Sequence, residues 1–280
     1  MFADLIGKAR RKTVGLYISL KRDSSKRKID SYPNNDNQSG LLNVSALPLD
    51  RMLGCRHELK YCISESKAEA IAQFIKPYLH LDRYCKAQPS GVYPISSLYL
   101  DSKDLQLCRE SLEGHKNRFK LRIRSYNDDP DYPHFFEIKR RMNTIIIKSR
   151  APVLRQDIAA FLSGLSLPAR NYYSIEKDAL NQFRLYMNSI GAGPVIRIRY
   201  MRQAFEDDSD NRVRVTFDRQ LDYIVGSNPD VGVDGQGWQR NSLEAVILEI
   251  KFSSRYPAWL SRMIRTHPKT LRRRITIQPS

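Results

Sequence analysis

Cysteine is scarce in this chain, and long apolar runs are missing. The four cysteines among 280 residues are Cys55, Cys62, Cys85 and Cys108. No two are spaced C-x-x-C, so neither a zinc ribbon nor a redox dithiol is written here. The expectation is reduced thiols in a cytoplasmic protein. No stretch approaches the roughly 18 apolar residues of a spanning helix, so no transmembrane segment is expected. The opening MFADLIGKARRK lacks the apolar core and cleavage site of a secretory signal. Acid is also in short supply: 47 Lys and Arg stand against 30 Asp and Glu, a formal charge of +17. That excess argues against a basic partner and favours a polyanion such as nucleic acid, an acidic membrane surface or a chain of phosphates. Hydrophobic residues still make up 41%, enough for a sizeable core.

What the sequence does contain is a series of strands with one charged face. In NRFKLRIRSY, Phe119, Leu121 and Ile123 alternate with Arg118, Lys120, Arg122 and Arg124. Successive side chains of a strand point to opposite faces. Three apolar groups therefore share one face and four cations the other, with no acid between them. Like charges on one strand face repel, so these cations call for a counterion from elsewhere.

The same pattern recurs along the chain. Glu58-Leu59-Lys60, Glu137-Ile138-Lys139 and Glu249-Ile250-Lys251 each place a carboxylate and an ammonium on one face, with an apolar residue behind. Arg56 joins the first set and Arg141 the second. Arg212 and Arg214 share a face with Thr216 and Asp218, backed by Val213, Val215 and Phe217. Between the strands lie helical segments. One opens near Ser66 and Glu69, read as a capping box. Others run near 103–112, 154–165 and 173–189, and a last one starts around Pro257. Residues 1–54 are polar, basic and without periodicity, and are read as a mobile N-terminal arm. Residues 55–280 form the structured domain.

About seven or eight such strands, together with amphipathic helices, fit an α+β fold. The expectation is an eight-stranded antiparallel β-barrel, a tunnel with helices packed on its outside, apolar faces outward and charged faces inward. Two cations about 4 Å apart repel by roughly 4 kcal/mol at an effective dielectric near 20. The three glutamates cannot neutralise about ten Lys and Arg, so this interior calls for water and a multiply charged anion. Guanidinium forks match phosphate oxygens. Carboxylates such as Glu58, Glu137 and Glu249 in a cationic tunnel can hold Mg²⁺ or Mn²⁺ against phosphate.

The stretches RHELKY, YPISSLYLDS, RFKLRIRSY, FEIKRR, YMRQAF, RVTFD and LEIKFSSRYPAWL, in that order, resemble the VTC domain, the catalytic module of polyphosphate polymerases in the triphosphate tunnel metalloenzyme superfamily. The resemblance implies metal-dependent transfer of the ATP γ-phosphate onto inorganic polyphosphate, with release of ADP. Lys60, Arg122, Arg124, Lys139, Arg202, Arg214 and Lys251 match the family's cationic positions, and Glu249 its metal-binding glutamate. Arg56, Arg118, Lys120, Arg141 and Arg212 are further candidate phosphate contacts by face. In VIRIRYMR the resemblance places Tyr200 and Arg202 inside, with Arg197 and Arg199 outside or near a bulge. The family's C-terminal Ser-Lys-Tyr segment is replaced here by THPKTLRRRITIQPS, where Lys269 or one of Arg272, Arg273 and Arg274 stands in. ATP and polyphosphate are the implied partners, and no stable nucleic-acid partner is expected. A tunnel triphosphatase and a non-catalytic polyphosphate or RNA binder remain as alternatives. Hydrolytic relatives tend to carry E-x-E-x-K where this chain has Arg56-x-Glu58-x-Lys60.

Overall fold

In the computed structural model, residues 57–143, 145–168, 172–207, 213–241, 245–252 and 257–266 are described. The expected N-terminal arm therefore lies outside them. The strands are β1 (His57–Ile63), β2 (His80–Leu81), β3 (Tyr93–Asp101), β4 (Asn117–Ser125), β5 (His134–Met142), β6 (Ile145–Val153), β7 (Gly193–Glu206), β8 (Arg214–Val225), β9 (Gln239–Arg240) and β10 (Val246–Phe252). The helices are α1 (Glu65–Ile75), α2 (Arg83–Lys86), α3 (Gln106–Leu112), α4 (Arg155–Leu162), α5 (Ser174–Ser189) and α6 (Ala258–Thr266).

Eight of the strands form one hydrogen-bonded path in the order β1-β10-β8-β7-β3-β4-β5-β6, and every described pairing is antiparallel. The path has two free ends: no ladder joins β1 to β6 among the described residues. The strand count and the antiparallel sheet match the expectation, but a closed barrel is not what the hydrogen bonds give. Alternating charge dictates which face of a strand is buried. It carries no information on whether the last strand pairs with the first.

The apolar faces point outward beneath helices, as periodicity requires. On one side Tyr61, Val215, Phe217, Leu248 and Ile250 pack against Ile71 and Ile75 of α1 and Leu260 and Met263 of α6. On the other, Leu121, Ile123, Phe136 and Ile138 pack against Phe161 of α4 and Phe183 of α5. Phe136, Phe161 and Phe183 meet edge to face, with Phe136 4.8 Å from each partner. The helix start expected at a Ser66–Glu69 box is corrected: Ser64 is the extended residue before α1, and its hydroxyl bonds that of Ser66 rather than the backbone. The Ser66 spacing fits a capping box, but Glu65 is already helical, so that box falls inside the first turn.

The strands β3 and β7 depart from the simple pattern. Tyr93, Ile95, Tyr99, Ile196, Ile198 and Tyr200 form a third buried cluster on the face they share with the cations of β4. The opposite face of β7 carries Arg197 and Arg199 instead. Their guanidinium carbons lie 4.6 and 4.4 Å from the Trp238 ring. Arg197 pairs with Asp230 and Arg199 with Asp222. The register between β7 and β8 slips between Arg199 and Met201, with Gln220 at φ 51° on the facing strand. This is a β-bulge, and it switches which alternate residues of β8 face inward.

Candidate active site

The charged faces are assembled by ladder register. On β1 and β10, Lys60 stands opposite Glu249, and Glu58 opposite Lys251. Lys60 is buried, and its ammonium lies 2.9 Å from Glu249 and also binds Glu58. Lys251 approaches Glu249 at 2.8 Å. These two acids keep Lys60 protonated against its burial, and its pKa is raised. Glu249 in turn is held well below the usual carboxylate range: burial opposes ionisation, but Lys251 and Lys60 outweigh it. On β7 and β8, Arg202 makes a bidentate pair with the buried Asp218 at 2.7 and 2.9 Å. Arg214 binds Asp82 and Glu206, each at 2.6 Å.

The second wall comes from β4, β5 and β6, where three cross-strand rows line up. Arg122, Glu137 and Arg150 form one row. Lys120, Lys139 and Lys148 form the next, and Arg118 and Arg141 the outermost. Glu137 is clamped by Arg122 at 2.5 Å, Arg150 at 3.5 Å and Arg124 at 3.8 Å. Burial alone would raise its pKa. The three guanidinium groups prevail and hold it at about 2.

The two walls act on each other across the interior. Lys139 is pushed down to about 7 by burial and by Lys60, Lys148 and Arg122, against the pull of Glu58. Lys120 is pushed well below the ordinary lysine value by burial, then by Lys139, Lys60, Arg118 and Arg122. Lys60 and Glu58 belong to β1, at the far end of the ladder path from β4 and β5. The sheet is therefore curled so that its first strand faces its sixth and seventh. Lys120 and Lys139 are surrounded by protein yet retain accessible surface. That combination describes side chains lining an internal, wettable space.

Glu58, Lys60, Lys120, Arg122, Arg124, Glu137, Lys139, Arg214, Glu249 and Lys251, assigned by strand parity, and Arg202, assigned by the resemblance, all lie on the inner face. Arg118 and Arg141 share that face but turn to strand-end carbonyls, Arg118 to His115 and Arg141 to Asn143 at 2.8 Å. Arg56, Arg212 and Lys269 lie outside the described residues. Four inner-face groups escaped the sequence reading. Lys148 and Arg150 were legible as the K-S-R alternation of β6. Asp82 had no local signal, because Arg214 reaches it from a distant strand, and Glu206 becomes the ladder partner of Arg214 only once the β7–β8 register is known. No cluster of three or more metal-ligating side chains exists among the described residues. Glu58 and Glu249 share Lys60, and Asp82 and Glu206 share Arg214.

An anion entering this space would restore the proton that Lys139 sheds. Tripolyphosphate is therefore expected to bind several-fold more weakly at pH 9 than at pH 7.5, even though its own last ionisation adds negative charge over that range. Calorimetry in buffers of different ionisation enthalpy should show proton uptake on binding. In Lys139→Met that uptake should shrink, and identical uptake in the variant would remove Lys139 as its source.

A family model described as the VTC domain matches residues 55–273. Among curated proteins, the chain is similar to the vacuolar transporter chaperone complex subunit 4 of Schizosaccharomyces pombe (strain 972 / ATCC 24843), 24% identical over 209 residues. That match covers 62% of this chain and 29% of the relative, so the chain spans less than a third of the relative's length. Among solved structures, a putative adenylate cyclase from Bacillus halodurans is 13% identical at a TM-score of 0.40, covering 80% of this chain and 91% of that one. The PH1819 protein of Pyrococcus horikoshii OT3 is 11% identical at a TM-score of 0.34, covering 77% and 87%.

Proposed function

The chain belongs to the VTC domain family, and from that membership we propose that it is a polyphosphate polymerase that transfers the γ-phosphate of ATP onto polyphosphate and releases ADP. The observation that carries this reading is the convergence of Lys and Arg, Lys60 buried and most of the others partly so, from β1, β4, β5, β6, β7, β8 and β10 on one wettable interior. A linear polyanion satisfies those charges where a protein carboxylate does so only in part. Arg122 and Arg124, fixed by Glu137 and Ser97, present guanidinium forks to phosphate oxygens. Lys60, Lys139, Arg202, Arg214 and Lys251 supply the remaining positive field.

The reaction needs little from the protein beyond placement. A terminal phosphate oxygen of the acceptor chain attacks the γ-phosphorus, a new P–O bond forms, and the bond to the β,γ-bridging oxygen breaks toward ADP. The attacking oxygen is already anionic, so no general base is required. Catalysis is then positioning and charge neutralisation.

The carboxylates bear on transfer versus hydrolysis. Water as acceptor would call for a base with a pKa near the working pH. Glu137 at about 2 and Glu249 well below its ordinary value are poor bases. Lys139, at about 7, is an inner-face group in that range, so the products decide between phosphate and water as the acceptor.

Mn²⁺ or Mg²⁺ fits Glu249 and Glu58, since these ions take one or two carboxylates and complete their shell with substrate oxygens and water. When bound, the ion would neutralise charge on the β- and γ-phosphate oxygens. Glu137, ringed by three guanidinium groups, is assigned instead to orienting Arg122, Arg124 and Arg150.

The direct test is incubation with ATP and Mn²⁺, followed by gel separation stained for polyphosphate. Growing chains matched by stoichiometric ADP are expected. ADP with free phosphate alone would move the assignment to a triphosphatase.

A further inference from the structure

The two ends of the inner face differ in chemistry. One end carries the Lys120–Lys139–Lys148 row and Arg118 opposite Arg141. At the other end, where β3 begins, β4 ends and β5 begins, the same face turns aromatic. Tyr126 follows Arg124 two residues along the β4 line, Phe135 precedes Glu137 on β5, and Tyr93 opens β3. Tyr93 is 6.4 Å from Tyr126, and Tyr126 is 5.9 Å from Phe135. Tyr84 of α2 meets Tyr93 edge-on at 5.9 Å.

A plain packing role explains Tyr93 and Phe135, which are buried. It explains the others less well. Tyr84 and Tyr126 keep accessible surface, and guanidinium groups lie close to the rings. Arg150 stands 3.6 Å over Phe135 and 5.9 Å from Tyr126, and Arg83 stands 4.7 Å from Tyr84. Partly buried rings with accessible surface beside planar cations form a stacking platform that tolerates any base, because every base presents a π-face.

We propose that this aromatic mouth is a nucleobase subsite, in which the ring system of ATP stacks on Tyr126 and Tyr84 while its triphosphate runs inward from Arg124 toward Lys139. The inference rests on the reading of the interior as a phosphate channel and adds an orientation to it. The nucleotide enters with its base at the tyrosine end, and inorganic chains lie toward the lysine end. It also makes the mouth a determinant of nucleotide over inorganic triphosphate.

The test compares ATP with inorganic tripolyphosphate by calorimetry in EDTA, so that no turnover occurs. Tyr126→Ala should weaken ATP about tenfold or more, the scale of one base–aromatic stack, and change tripolyphosphate less than twofold. Tyr126→Phe should restore ATP binding, since the ring is kept. Unchanged tripolyphosphate binding shows that the variant still folds. Equal losses for both ligands, or no loss for either, would overturn the subsite while leaving the phosphate channel standing. Failure of the wild type to bind either anion would bring down the channel and the subsite together. A stacking loss confined to ATP would support the subsite even in a protein that proved to be a hydrolase.

Discussion

Glu249→Gln is expected to lower ATP-dependent chain synthesis by about 10²–10³-fold, the scale of removing one preorganised charge from a reacting centre, while polyphosphate still binds. The carboxylate is buried and bonded to two ammonium groups, Lys60 at 2.9 Å and Lys251 at 2.8 Å. Glutamine keeps the shape and removes the charge. Lys60 retains Glu58, so the fold should survive. Breaking a buried pair costs about 3–5 kcal/mol, and the lower end applies because that second acid remains. At about 2–4 °C per kcal/mol for a domain of this size, the melting midpoint should fall by roughly 6–12 °C. Tripolyphosphate should recover part of that loss by replacing the missing counterion. Synthesis at wild-type rate in this variant, at any concentration of Mn²⁺, would strip Glu249 of its assigned role.

Replacing Arg122 and Arg124 together by alanine is expected to cost about 3–6 kcal/mol of phosphate affinity. That is about 1.5–3 kcal/mol for each hydrogen-bonding group that meets a charge, or a rise in Kd of roughly 10²–10⁴-fold. A second consequence follows from the clamp on Glu137. In the wild type its carboxyl sits at about 2 instead of 4.5. A depressed carboxylate contributes stability that is complete above pH 4.5 and disappears as the pH falls toward 2. In the double variant only Arg150, at 3.5 Å, remains, and burial then pushes the carboxyl up. The acid limb of the melting profile should move to higher pH. An unchanged limb, measured by thermal melts from pH 2 to 7, would show that these arginines do not set the ionisation of Glu137.

These two expectations differ in how readable their parts were. Alternation in RFKLRIRSY, FEIKRR and LEIKF was enough to name Arg122, Arg124, Glu137, Lys139, Glu249 and Lys251 as members of one face. Strand periodicity is local and strict, so a misplaced residue would reverse every neighbour. The same logic missed Lys148 and Arg150, although K-S-R has the same alternation, because the apolar run Ile145-Ile146-Ile147 hid the charged face. It also expected apolar faces outward and charged faces inward on every strand, and only the resemblance turned Tyr200 and Arg202 inward and Arg197 and Arg199 outward. On β3 and β7 the inner face is Tyr93, Ile95, Tyr99, Ile196 and Ile198, and Arg197 and Arg199 go outward to Asp222, Asp230 and Trp238.

The sequence by itself determined the antiparallel strand pattern, the helices that cover the apolar faces and the charged character of the interior, because side-chain alternation is a property of each strand taken alone. Only the tertiary structure decided that no ladder joins β1 to β6 among the described residues, and that Arg214 draws Asp82 to itself beside Glu206. It also decided which end of the interior is aromatic and which is lysine-rich. Those outcomes depend on curl, stagger and the bulge at Gln220, which bring together residues that no local pattern connects.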